Sequence, residues 1–292
     1  MRILNASGCL DALAAPDVAR SLDAFVSKTV TPLPREGNAP VRIAETDSGM
    51  LNSIGLANPG IDAFLAEKLP RLSELGIPIW ISVGGFTTSE YVGICEQLNE
   101  RDEVATIELN LSCPNVEAVE ATVAEIVLAC RTATGVPLYA KLSPAVPDIA
   151  EVARAAESAG ADGLSLVNTI RGLSLDERTL TPVLGPAVGG YSGPALKPIA
   201  LAAVYSCYRA VDVPIVGMGG IQTGRDVIDF VAAGAADVAL GTVLFTDPDA
   251  PRRIREQLAA EIAALGRSEV DELRGMSHEH RNRQPEVESS PA

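Results

Sequence analysis

Histidine is almost missing from this 292-residue chain: the two present, His278 and His280, both lie in a polar C-terminal stretch. A Ser–His–Asp triad or a His-ligated metal inside the fold is thereby excluded. Cysteine offers no substitute framework. Cys9, Cys95, Cys113, Cys130 and Cys207 are scattered, odd in number and form no C-x-x-C pair, so no disulfide scaffold, zinc site or iron–sulfur site is indicated. No run approaches about 18 apolar residues, and no charged n-region precedes an apolar stretch, which reads as a cytoplasmic chain without a membrane segment. Positive charge is scarce too. With 23 Lys+Arg against 38 Asp+Glu, the net charge is −15, a surface that repels nucleic acid and anionic headgroups. Aromatics are only 4%, so a core must be built from Ala, Val, Leu and Ile, the usual filling of barrel interiors.

What the chain does have is 47% hydrophobic residues, arranged in regular alternation. Strand-like apolar runs occur at 2–7, 25–31, 79–83, 106–112, 138–143, 163–169, 215–219 and 238–242. Helical patterns follow at 16–23, 61–75, 88–100, 116–133, 149–159, 194–210, 225–233 and 250–265. This is the signature of an α/β fold, a closed parallel (β/α)8 TIM barrel over residues 1–266; an open doubly wound sheet is the alternative. Two connections, 32–60 after the second strand and 170–193 after the sixth, are too long for simple turns. Both leave C-terminal strand ends, where barrel active sites assemble, and so read as lid and pocket walls. Residues 267–292 read as a polar tail, a short helix and then disorder.

Polar residues at strand ends are the candidates for chemistry. Lysine occurs only at positions 28, 68, 141 and 197, and the expected second and fifth strands contain Lys28 and Lys141. Strand lysines either snorkel to solvent or face an anionic ligand. Gly217-Met218-Gly219-Gly220 and Gly241-Thr242 close the last two strands, where barrels frequently bind phosphate through backbone N–H groups. Glycine is also ordinary turn chemistry, and the spacing is not a Rossmann fingerprint. The fourth strand runs into Asn110-Leu111-Ser112-Cys113-Pro114-Asn115. By its setting alone, Cys113 is either a small buried hydrophobe or a thiolate general base near neutral pH.

These segments resemble a known family. Residues 110–115 (NLSCPN), preceded by Glu108-Leu109, are similar to the active-cysteine motif of the class 1 dihydroorotate dehydrogenases. So are Asn5-Ala6-Ser7-Gly8, residues 42–60 (RIAETDSGMLNSIGLANPG), Asn168-Thr169, residues 190–201 (GYSGPALKPIAL) and residues 217–221. The wording is nearest class 1B, in which an FMN-binding barrel pairs with a separate FAD and iron–sulfur subunit that passes electrons to NAD. The class 2 serine base and membrane-associating segment have no counterpart here.

The resemblance implies FMN-dependent oxidation of dihydroorotate to orotate in pyrimidine biosynthesis, by a homo-oligomer and with no metal site in this chain. Cys113 would remove the C5 proton while hydride leaves C6 for the flavin, with Lys28 as the second catalytic residue, meeting the carboxylate. Around FMN it implies Ser7, Lys28, Thr29, Asn110, Lys141, Val167, Gly193, Gly219, Gly220, Gly241 and Thr242, the last four about the phosphate. Around the pyrimidine and its carboxylate it implies Lys28, Asn52, Ile54, Gly55, Leu56, Asn110, Asn115, Asn168 and Thr169. The sequence also departs from the family pattern. No hairpin precedes the first strand, the loop after Asn115 is several residues shorter, and Ser82 stands where a flavin-contacting asparagine is usual. The last change would weaken one flavin hydrogen bond by about 0.5–1.5 kcal/mol. Three competing expectations remain: a flavoprotein acting on another dihydropyrimidine or cyclic amide, a Schiff-base aldolase-type barrel using Lys141, and a non-catalytic flavin-binding subunit.

Overall fold

Short apolar runs that are buried on both faces pair side by side and in parallel, because helices cover the sheet outside while side chains fill it inside. The computed structural model describes residues 1–111 and 119–283. Its strands are β1 (Ile3–Asn5), β2 (Phe25–Val26), β3 (Ile43–Thr46), β4 (Gly49–Asn52), β5 (Ile79–Val83), β6 (Val104–Asn110), β7 (Leu138–Leu142), β8 (Gly163–Leu166), β9 (Ile170–Gly172), β10 (Gly189–Ser192), β11 (Ile215–Met218) and β12 (Asp237–Leu240). Eight of them form one parallel sheet in the order β1-β12-β11-β8-β7-β6-β5-β2. A parallel bridge from Leu4 to Ala24 joins its two ends into a barrel. At this seam the ladder is thin, and the fully buried Asn5 side chain completes it, donating to the Val26 carbonyl at 2.8 Å and accepting from the Val26 N–H at 2.9 Å.

The helices are α1 (Pro16–Arg20), α2 (Ile61–Ala63), α3 (Leu69–Ser73), α4 (Thr88–Asn99), α5 (Val119–Ala133), α6 (Ile149–Ser158), α7 (Lys197–Tyr208), α8 (Gly224–Ala233), α9 (Val243–Thr246) and α10 (Ala250–Ala264). The stretch expected as one helix at 61–75 is broken. A π-helical segment, Phe64–Lys68, separates α2 from α3, next to Pro70, which has no N–H to return to the preceding turn.

Alternate strand residues divide between two apolar sets. Ile3, Phe25, Ile79, Ile81, Ala140, Ile215 and Val238 pack outward with helix residues such as Ile94, Val127, Val204 and Phe230. Leu4, Ala24, Val26, Trp80, Tyr139, Val216, Met218 and Ala239 form a separate apolar cluster with Ala6, inside the barrel. Trp80 and Tyr139 meet at 4.7 Å between ring centroids, and the Arg2 guanidinium lies 5.3 Å over Trp80.

The two long connections do more than form walls. They pair into a second, antiparallel sheet of order β3-β4-β10-β9, with Gly190 opposite Asn52 and Gly189 opposite Gly172. After α10 the chain continues as 3-10 turns Val270–Leu273 and Met276–Arg283 that dock back on the barrel unit. Leu273 is buried, the Gly275 N–H donates to the Val231 carbonyl, and His278 stacks on Tyr205 at 4.0 Å. Residues 284–292, expected to be disordered, lie outside the described residues.

Candidate active site

A cavity of about 610 Å³ lies at the C-terminal ends of the barrel strands, between them and the antiparallel sheet. Barrel strand ends contribute Ser7, Lys28, Thr29, Asn110, Lys141 and Val167. The antiparallel sheet and its flanks contribute Asn52, Ile54, Gly55, Leu56, Asn168 and Thr169, and the glycine-rich end contributes Gly193, Gly219, Gly220, Gly241 and Thr242. The cavity thus collects every residue that the resemblance assigns to cofactor or substrate and that falls within the described regions. Cys113 and Asn115 lie outside the described residues.

Lys28 does not sit in a regular strand, contrary to expectation. The Ser27 N–H pairs with the Trp80 carbonyl and the Val30 N–H with the Ser82 carbonyl, both at 2.9 Å, so three steps on one side oppose two on the other. This bulge breaks the inside–outside alternation and lets both Lys28 and Thr29 line the cavity. Gly8 makes room beside it: a Cβ there would stand 2.7 Å from Lys28 Cδ. Lys28 has no hydrogen bond or ion pair among the described residues, and burial, with the neighbouring Lys141 charge, pushes its pKa down.

A chain of hydrogen bonds links the strand ends across this floor. Ser82 and Thr29 hydroxyls lie 3.0 Å apart, Asn110 Nδ2 donates to Thr29 Oγ1 at 3.3 Å, and Asn168 Nδ2 donates to Asn110 Oδ1 at 3.1 Å. Asn168 Oδ1 accepts from the Thr169 N–H at 2.8 Å, and Tyr91 donates its hydroxyl proton to the Asn110 carbonyl, also at 2.8 Å. The amides are therefore held in fixed rotamers. Ser82 is fully buried and uses its hydroxyl on Thr29.

Lys141, on β7, is buried and lies 3.6 Å from Glu108 Oε1. At the glycine-rich end, Gly219 and Gly220 have positive φ of 125° and 78°, and a Cβ on Gly220 would stand 2.9 Å from the Gly193 carbonyl and the Lys197 N–H nitrogen. Only glycine fits there. Lys197 Nζ clasps Asp226, and Asp229 at 2.7 Å. Asp226 in turn accepts from the Gln222 and Thr223 N–H groups at 2.9 and 2.8 Å, so the loop after β11 and the start of α7 are tied together. These residues fit FMN. A Cβ on Gly241 would project into the cavity, with nothing nearer than Ala6 Cβ at 3.7 Å and Cys9 Sγ at 3.8 Å, the kind of space a phosphate or ring fills. Lys141 supplies a buried cation farther in.

Sequence reasoning missed several lining residues. Ile43, Met50 and Ser192 belong to the unforeseen sheet, and Phe86 and Phe245 are exposed aromatics at the cavity mouth. Cys9, whose thiol burial pushes up and the two lysines pull back, follows the Asn5–Gly8 motif directly. That adjacency was the available signal. Among the described residues there is no group of three His, Cys, Asp or Glu that could hold a metal, and no helix is long and apolar enough to cross a membrane.

Comparison with known proteins agrees with this geometry. Residues 2–262 match the family model for dihydroorotate dehydrogenase. The chain is 44% identical over 264 residues to the dihydroorotate dehydrogenase B (NAD(+)) catalytic subunit of Desulforamulus reducens, covering 88% of this chain and 87% of that protein. It is 43% identical over 287 residues to the protein of the same designation from Geobacillus kaustophilus, covering 94% and 91%. Its fold is similar to that of a dihydroorotate dehydrogenase from Eimeria tenella crystallised with ferulenol, with a TM-score of 0.78 at 22% identity, covering 94% of this chain and 85% of that one. A barrel with this cavity, matched over nearly its whole length, belongs to the dihydroorotate dehydrogenase family.

Proposed function

We propose that this chain is the catalytic subunit of a class 1B-type enzyme that oxidises dihydroorotate to orotate with FMN, in pyrimidine biosynthesis. The observation that carries the reading is the convergence of Lys28, Lys141 and the Asn110–Asn168 hydrogen-bond chain on a single cavity whose other end is lined with glycine. Its chemistry matches a ligand set with a carboxylate, an imide ring and a phosphate.

FMN, when bound, accepts the hydride that leaves C6 of the substrate. Everything else falls to side chains. Lys28, without a counter-ion among the described residues and already desolvated, gains most from pairing with the substrate carboxylate. Asn52, Asn110, Asn115 and Asn168 present amide donors and acceptors to the imide, flanked by Ile54, Gly55, Leu56 and Thr169. Cys113 takes the C5 proton as thiolate. Ser7, Thr29 and Val167 line the cofactor side with Asn110, and Lys141 offsets negative charge gained on reduction. Gly219, Gly220, Gly241 and Thr242 hold the phosphate, and Gly193 adjoins the cofactor.

The relatives' designation as catalytic subunits of an NAD(+)-linked enzyme supports a partner subunit, carrying FAD and an iron–sulfur cluster, as electron acceptor. Homo-oligomerisation belongs to the same reading. The test is anaerobic mixing with dihydroorotate. The yellow protein should bleach, and Cys113→Ala should abolish bleaching near neutral pH while leaving the protein yellow. A colourless protein, or flavin bleached by dihydrouracil and not by dihydroorotate, contradicts the proposal.

A further inference from the structure

We propose that Glu108 is a positioning residue that tunes the reduction potential of the bound flavin through Lys141; this rests on the FMN reading above. Glu108 and Asn110 are two residues apart on β6, so they face the same side, Asn110 into the cavity and Glu108 one layer deeper inside the barrel. Lys141 lies beside it, and Ser165 on β8 sits opposite Lys141 on β7. Glu108 is 1% exposed, and Lys141 is 6% exposed.

The geometry is unusual for a structural ion pair. The 3.6 Å separation is longer than the ~2.7–2.9 Å of a charge-assisted hydrogen bond. Glu108 Oε1 has no hydrogen-bond partner, and neither has the buried Ser165 hydroxyl. The barrel interior is otherwise apolar here, with Tyr139 in register with Glu108 and Trp80 packed on Tyr139. A carboxylate is costly there, and an apolar residue would serve packing better. The pair is loose on the lysine side: Lys141 lines the cavity, and its Nζ is not locked by its counter-ion.

Charge accounting gives this a consequence. Lys28 and Lys141 both face the cavity, close enough that each repels the other's positive charge, and no Asp or Glu lines the cavity among the described residues. Glu108 is then the nearest negative charge behind Lys141. It cancels part of the field that Lys141 exerts on the cavity. A ring that gains negative charge on reduction would be stabilised less than by Lys141 alone. Glu108 therefore holds the potential down and keeps reduced cofactor ready to give up its electrons.

The experiment is a flavin potential, measured on purified holoenzyme by anaerobic titration with a chemical reductant and a reference dye, without dihydroorotate. Glu108→Gln should raise the ratio of reduced to oxidised FMN affinity at least tenfold, about 30 mV more positive for a two-electron couple. Lys141→Met should move the ratio the opposite way, and adding Glu108→Gln in the Lys141→Met background should have little further effect, because a buried carboxyl stripped of its counter-ion takes up a proton and exerts no field of its own. Glu108→Asp, which keeps the charge, should stay near wild type, and it decides the question if Glu108→Gln fails to fold. An unchanged potential in Glu108→Gln, an equal shift in the Lys141→Met background, or a tenfold shift in Glu108→Asp overturns the proposal. So does a folded Glu108→Gln protein that retains no flavin. Wild-type protein that holds FMN but is not bleached by dihydroorotate would sink the substrate reading and leave this one standing.

Discussion

The two sheets of this protein are built on opposite rules. The parallel barrel strands are buried on both faces, as in Ile79–Val83 and Leu138–Leu142, where every residue is inaccessible. The antiparallel strands are half-exposed and glycine-rich: Gly189–Ser192 is intermediate throughout, and Ile43–Thr46 alternates with exposed positions. One sheet is a rigid frame that fixes Lys141 and the glycine-lined end. The other is a cover whose contribution to the cavity includes Asn52, Gly190 and Ser192. The division implies that substitutions at the glycine-lined end of the frame disturb cofactor binding, while substitutions in the cover, and of Lys28 on the frame's bulge, disturb substrate binding.

Substitutions can break or sharpen that division. The largest effect is expected at Gly220, where the positive φ and the 2.9 Å approach of the Lys197 nitrogen leave no room for a side chain. Gly220→Val should weaken FMN retention by about 100-fold or more, at about 3 kcal/mol for strain and displaced backbone, checked by flavin release on dilution. Lys28→Met comes next. It should raise KM for dihydroorotate by about 100-fold, the value of a charge-assisted contact, while the protein stays yellow. Asn52→Ala, on the cover, should raise KM about tenfold with flavin content unchanged; flavin loss there would erase the contrast between the sheets.

The pH dependence of orotate binding refines the Lys28 assignment. Burial and Lys141 lower the Lys28 pKa in the ligand-free protein, and a bound carboxylate would raise it. Affinity should therefore be flat at low pH and fall by up to tenfold per pH unit once pH exceeds the free-protein value. Lys28→Arg, charged throughout, should remove that slope. Smallest is His278→Ala, which removes stacking on Tyr205 and should cost about 1 kcal/mol of stability by denaturant titration, with kcat and flavin content intact.

The same contrast explains what could be read from the sequence. The barrel units announced themselves because parallel strands are continuous apolar runs, and the boundaries at 79–83 and 138–143 needed little correction. The cover did not. Its strands contain Gly49, Gly172, Gly189 and Gly190, residues of low strand propensity, and apart from the β3–β4 hairpin they pair across segments distant in sequence. The Lys28 bulge was equally hidden, since a period-two pattern cannot signal an extra residue that forms only against β5. The Asn5 seam, where a side chain stands in for ladder bonds, carried no pattern either. The cavity-lining residues were legible through local motifs, which bring out particular residues and not how their segments pair. The tail read as polar because its anchors are few, Leu273 and His278.

The central claim is that this cavity couples removal of a proton and a hydride from dihydroorotate to reduction of one flavin. Single-turnover mixing of excess oxidised holoenzyme with limiting dihydroorotate, under anaerobic conditions, tests it most directly. The account predicts that one orotate appears for each flavin bleached, in the same kinetic phase. Flavin that remains oxidised, or bleaching without orotate, would contradict it.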